Sequence, residues 1–160
     1  MLYLTQKGRL ISFALLLHDI GKIKISDDIL NKTSSLTSEE YAEMKLHTHF
    51  GYEIIHSISG MTEEHALVAL QHHEREDGSG YPFGITGNDI TSYSKIVAVA
   101  DVFHTMISER VYKKPTPLYQ VLKELDRCAY GSLHPKVVHT FILGIMNKMI
   151  GESIILSMVK

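Results

Sequence analysis

The chain has 160 residues, 44% of them hydrophobic, which is enough for one domain with a buried core. Sixteen basic against 18 acidic residues leave a formal charge of −2, which excludes a broad basic field for duplex nucleic acid. The single cysteine, Cys128, excludes an intrachain disulfide framework and suits a reducing cytoplasm, and the apolar stretches are too short or too interrupted to span a bilayer.

Residues 9–18 are nearly all apolar and predict a buried helix ending near Gly21. The stretch "ALLLHDIGKIKI" therefore puts His18 and Asp19 at a helix end, where a buried carboxylate without compensation is destabilising. "SDDILNKTSS" is turn-rich, and Thr37-Ser38-Glu39-Glu40 reads as a capping box opening one helix over residues 37–58, with His47 and Gly51 one turn apart. The next helix starts near Thr62 and carries His72-His73-Glu74 close to its C-terminal end. "DGSGYPFGITGNDI" follows, a loop of unusual length for a compact domain. Its glycines predict mobility, with Phe83 and Ile85 as its anchors. "SYSKIVAVADVFHTMIS" returns to helix and contains Asp101; further helices are expected over 117–129 and 135–149, before the apolar tail "ESIILSMVK". No stretch has strand periodicity, so the fold is expected to be all-α.

Ten histidines exceed ordinary usage, and neutral imidazole is the commonest metal-binding side chain. Metal-type side chains recur in four patches, His18-Asp19, His47, His72-His73 and Asp101, each assigned to a different helix. A bundle could assemble them into one site, where imidazole with carboxylate suits Fe, Mn or Zn better than Ca or Mg. On composition alone the opposite reading stands level: a lone buried histidine is more often a hydrogen-bonded core residue, and "HHEREDG" would serve as a solvated helix end.

"LLHDIGK", "MKLHTHFG", "HHEREDGSGYPFG" and "IVAVADVFHTMISERVYK" resemble, in order, the HD-GYP family, a branch of the HD metal-dependent phosphohydrolases, over about residues 8–145. The resemblance implies an HD-type all-α bundle with a long Gly-rich loop, forming a single domain over 1–160. It implies a metal-dependent phosphodiesterase that hydrolyses cyclic di-GMP to linear pGpG, in some members onward to GMP. The ligands so implied are His18, Asp19, His47, His72, His73 and Asp101, for up to two divalent ions, Fe or Mn foremost and Zn or Ni after them. Asp19 would bridge the ions and act with Lys22 in catalysis; Lys22, Arg110 and Lys113 match phosphate-contacting positions, and Tyr81 would stack on guanine. Diguanylate cyclase domains are the implied protein partner.

Two departures qualify that picture. Family members carry an earlier helix that supplies a further His and Glu, whereas only 17 residues precede His18 here and none is His, Asp or Glu. The expectation is a full ligand set for one ion, Asp19, His47, His72 and His73, and a partial one for the second. "DVFHTM" has His104 and Thr105 where the family has Asp and Ala, and His104 is expected at the surface rather than as a replacement ligand. The alternative function is therefore a weak or inactive module that senses cyclic dinucleotides or docks diguanylate cyclases. The apolar first helix and residues 154–159 predict self-association into a homo-oligomer.

Overall fold

The computed structural model describes residues 5–108 and 117–149; Arg110, Lys113 and the segment 154–159 lie outside the described residues. Among the described residues the secondary structure is helical, with one isolated bridge between Asp77 and Thr86. Helix α1 (Gln6–Leu17) opens on Thr5, whose hydroxyl accepts the Gly8 N–H at 3.2 Å. A 3₁₀ turn, Ile20–Lys24, follows directly, then the short α2 (Asp27–Leu30) inside the stretch expected to be all turn.

The helix expected over 37–58 is two helices, α3 (Ser38–Lys45) and α4 (His47–Ser57), broken at Leu46. The break has a visible cause. The Met44 carbonyl accepts from His47 Nδ1 at 2.6 Å and the Lys45 carbonyl from Thr48 Oγ1 at 2.9 Å, so side chains replace the backbone donors that would continue the helix. The capping box does form: Thr37 Oγ1 accepts from Glu40 N, and Glu40 Oε2 accepts the Thr37 N–H at 2.7 Å.

Helix α5 (Glu63–Gln71) is the central element, with Ala66, Val68 and Ala69 fully buried. Its inner faces pack in two directions, Val68 with Ala14 and Val97, and Ala66 and Ala69 with Ile55, Leu17 and Ile20. The long α6 (Ser92–Ser108) leaves that cluster at Val97 and enters a second one at Ala98 and Val99. There α7 (Leu118–Cys128) and α8 (Pro135–Met149) supply Leu125 and Val138, with Ala129 and Leu133 from the turn between them. The rings of Phe103 and Phe141 meet edge-on, centroids 5.0 Å apart, at its border. Helix α1 is less buried than its composition predicts: only Ala14 is buried, and Leu16 is 79% exposed. No helix among the described residues is long and apolar enough to cross a membrane.

Candidate metal centre

Gly21 brings the first two pieces of the site together. A Cβ on Gly21 would collide with the His47 carbonyl and the Gly51 amide, so the turn after His18-Asp19 lies backbone to backbone on α4. Gly51 in turn faces Ala69 of α5, where an added Cβ would sit 3.1 Å from the Ala69 Cβ. These small residues let three backbones converge, and Asp19, His47 and His72, carried near them on those backbones, meet at a common point.

At that point Asp19 Oδ1 lies 3.4 Å from His47 Nε2 and 3.7 Å from His72 Nε2. Asp19, His47, His72 and His73 each offer a donor atom within 4.8 Å of all the others. The other carboxylate oxygen, Oδ2, faces His18 Nε2 at 3.4 Å and accepts a hydrogen bond from Lys22 Nζ at 2.6 Å. Asp101, from α6, stands 3.8 Å from His18 Nε2. The structure thus gathers His18, Asp19, Lys22, His47, His72, His73 and Asp101 into one cluster. His104 is not among them; it is exposed and exchanges a 3.2 Å hydrogen bond with Ser108.

The histidines are oriented by the backbone. His18 Nδ1 donates to the Leu15 carbonyl at 2.8 Å, His47 Nδ1 to Met44, and His72 Nδ1 to Ala69 at 2.9 Å. A carbonyl can only accept, so each Nδ1 carries the proton and each Nε2 of a neutral ring presents a lone pair to the cluster. Asp19 Oδ1, His47 Nε2 and His72 Nε2 are all buried and have no hydrogen-bond partner. Three acceptors turned on one another are repulsive unless a cation sits among them. The donor set fits a divalent transition ion.

The electrostatics agree at His47 and His73 and differ at His18. Burial lowers the basicity of His47 and His73 despite the Met44 carbonyl bonded to the former, and the neighbouring imidazoles lower it further at His73, so both rings are neutral ligating forms. Burial pushes the same way at His18, but the carboxylates of Asp101 and Asp19 overcome it and raise its pKa to about 10. Burial would raise the Asp19 carboxyl, yet hydrogen bonds from His18 and Lys22 keep it well below the ordinary carboxylate range.

Sequence reasoning missed how the Gly-rich loop is held. Glu74, 2% exposed, accepts the Phe83 N–H on Oε1 at 2.7 Å and the Ile85 N–H on Oε2 at 3.2 Å. The Tyr81 N–H donates to the His73 carbonyl at 3.1 Å, and the Tyr81 ring stacks on the His73 ring at 4.6 Å. The far end is tied by Gln71, which accepts the Thr91 N–H at 3.0 Å. The loop expected to be mobile is pinned to the histidine segment at both ends. Phe83 and Ile85 are anchors through their backbone amides; the Phe83 side chain is 60% exposed. The one available signal was Glu74 directly after the histidine pair, buried where a solvated helix end was the alternative.

A family model for the HD domain matches residues 4–136. A cyclic di-GMP phosphodiesterase from Thermotoga maritima is 47% identical over 82% of the chain and 36% of that protein. The cyclic di-GMP phosphodiesterase response regulator RpfG of Xanthomonas campestris is 49% identical over 87% of the chain and 37% of that protein. The chain thus spans little more than a third of these curated relatives. In fold it is similar to an HDG"Y"P protein from Bdellovibrio bacteriovorus, with a TM-score of 0.65 at 20% identity, over 89% of this chain and 44% of that one.

Proposed function

The chain belongs to the HD domain family, in its HD-GYP branch, and from that premise we propose that it is a metal-dependent phosphodiesterase that hydrolyses cyclic di-GMP to linear pGpG, with GMP as the product of a second cleavage. The observation that carries the reading is the trio of buried, partnerless acceptors Asp19 Oδ1, His47 Nε2 and His72 Nε2.

In this reading His47, His72, His73 and Asp19 hold one ion, while His18, Asp19 and Asp101 contribute to a second, with iron or manganese preferred and zinc or nickel as substitutes. Bound divalent ions would supply an acidified water and polarise the phosphate oxygens. The chain's own residues do the rest. Asp19 presents one carboxylate oxygen to each half of the cluster, Oδ1 toward His47 and His72 and Oδ2 toward His18 and Lys22, which is the disposition a bridging ligand needs. Lys22, held at 2.6 Å by Asp19, offsets negative charge that builds on the phosphate during hydrolysis. Arg110 and Lys113, on their sequence match alone, add further phosphate contacts. Tyr81 supports His73 and carries the aromatic surface on which guanine would stack.

Exposed apolar side chains on α1, Leu16 above all, support self-association into a homo-oligomer, and the exposed Phe83 on the loop offers a contact for diguanylate cyclase domains. A cytoplasmic setting suits both the reading and the single cysteine. The test is chromatographic: the chain reconstituted with Mn²⁺ or Fe²⁺ should convert cyclic di-GMP to pGpG, and Asp19→Asn should abolish both metal retention and turnover. Tight binding of cyclic di-GMP with no turnover at full metal occupancy would instead make it a sensing module.

A further inference from the structure

We propose that Lys45 is a second phosphate-binding residue of this centre, serving the phosphodiester of the cyclic dinucleotide that is not being cleaved. The inference rests on the cyclic di-GMP reading and adds to it the means by which a substrate with two phosphates is told from one with a single phosphate.

Lys45 ends α3, and its ammonium lies 5.2 Å from the centroid of the Tyr41 ring and 6.0 Å from that of Tyr81. Those rings meet edge-on at 6.2 Å, and Tyr81 leads straight into the metal centre, stacked on His73 and edge-on to His47 at 6.3 Å. Lys45 thus stands on an aromatic edge of the histidine cluster.

Its charge has no other evident use. Lys22, Lys24, Lys32 and Lys95 each pair with a carboxylate; Lys45, like Lys7, Lys123, Lys136 and Lys148, pairs with none among the described residues, and of these five it is the one resting on the Tyr41 and Tyr81 rings. Nor is it needed at the end of its own helix. The carbonyls of Glu43 and Met44 receive the Leu46 N–H, Met44 also receives His47 Nδ1, and that of Lys45 receives Thr48 Oγ1. A cation resting on aromatic faces keeps its charge while its hydrogen-bond donors stay free for an incoming anion.

The separate contacts of Lys22 and Lys45 point to the kind of anion. Lys22 comes from the turn after α1 and sits on Asp19, beside the reacting centre. Lys45 comes from α3, on the side of the cluster formed by His47, His73 and Tyr81. Two cations brought to the cluster by different elements, Lys22 directly on Asp19 and Lys45 through Tyr81 and His73, suit a ligand bearing two phosphates. A cyclic dinucleotide has two phosphodiesters in one ring, so when one lies on the metal side the other is carried toward the aromatic edge.

The experiment compares cyclic di-GMP with bis(p-nitrophenyl) phosphate, a diester with one phosphate, on the metal-loaded chain and on Lys45→Met and Lys45→Arg, with metal content measured for each. For Lys45→Met the expected result is a rise of about tenfold in KM for cyclic di-GMP with kcat changed less than about threefold, a much smaller loss on the one-phosphate diester, and recovery in Lys45→Arg. Equal losses on both substrates, loss of metal, or no change in KM for cyclic di-GMP would overturn it. A wild-type chain that cleaves the one-phosphate diester but neither binds nor cleaves cyclic di-GMP would overturn the substrate reading itself and the inference with it.

Discussion

Around Asp19 the buried atoms are polar and turned on one another without partners; around Leu125 the buried side chains are apolar and closely packed. The two regions are joined through α6, which contributes Val99 to the apolar cluster and Asp101, two residues later, to the polar one. The difference teaches where stability and chemistry reside. The cluster of α6, α7 and α8 lowers the free energy of the fold by removing hydrocarbon from water and needs nothing from outside. The trio of Asp19 Oδ1, His47 Nε2 and His72 Nε2 raises it until a cation satisfies those buried lone pairs, so metal binding there is folding free energy as well as chemistry.

The largest effect that separates the regions should come from Leu125→Ala, which cuts a fully buried side chain out of the apolar cluster. A loss of about 2–5 kcal/mol in denaturant unfolding is expected, the same with and without chelator. A loss that depended on metal would mean the two regions are not separate.

Asp19→Asn is the mirror case. The metal-loaded wild type should gain about 2.7 kcal/mol over its chelated form at a hundred times the dissociation constant. The variant should show almost none of this gain, and its turnover should fall by at least about a hundredfold. Without metal, its unfolding midpoint should lie below that of the chelated wild type, because the amide gives up the stability that ionised Asp19 draws from His18 and Lys22.

Glu74→Gln sits on the border and sharpens the comparison. An amide replaces one of the two oxygens that accept the Phe83 and Ile85 N–H groups, leaving a donor facing a donor. About 1–3 kcal/mol should be lost, with amide exchange at Phe83 and Ile85 accelerated more than that at Leu125. Uniform acceleration would place the loop in the same cooperative unit as the apolar core.

The subtlest test is pH. In the metal-free chain the pKa of His18 is raised from 6.5 to about 10, so its stabilising contribution is full below pH 6.5 and is lost as pH rises to 10. Asp19, held below its ordinary 3.8, contributes above that pH and loses its contribution only on acidification. An ion taken up by His18 must displace its proton, so affinity there should rise by up to about tenfold per pH unit, about 1.4 kcal/mol, across the same window. Thermal midpoints should therefore fall with pH in chelator and hold or rise in Mn²⁺; parallel curves would remove His18 from the metal centre.

Much of this was legible in the sequence, for reasons particular to each element. Helix α6 runs over Ser92–Ser108 as its apolar spacing predicts, and α8 over Pro135–Met149, because those patterns are long and locally consistent. The residues of the polar cluster could be named in advance because they occur in compact motifs. What could not be read were bonds between distant residues. The break at Leu46 depends on His47 and Thr48 reaching back to carbonyls, a choice that local helix propensity does not foresee. The fixed loop depends on Glu74 meeting amides nine and eleven positions away, whereas its glycines, taken alone, indicate only entropy. Even histidine is ambiguous by type. His65 turns the acceptor face of Nδ1 to the Thr62 N–H at 3.1 Å, as a helix cap, while His18, His47 and His72 donate through theirs.

The meeting of Gly21 with α4 has a bearing on how the donors of such a centre are spaced. Donors carried on long side chains adjust to cations of many radii by changing rotamer. Asp19 and His47 instead ride on two backbones already touching, with no atom to compress between them and no Cβ that could be admitted at Gly21 without wedging them apart. The spacing of the Asp19 and His47 backbones is thus held by main chain, and any side chain at Gly21 would widen it.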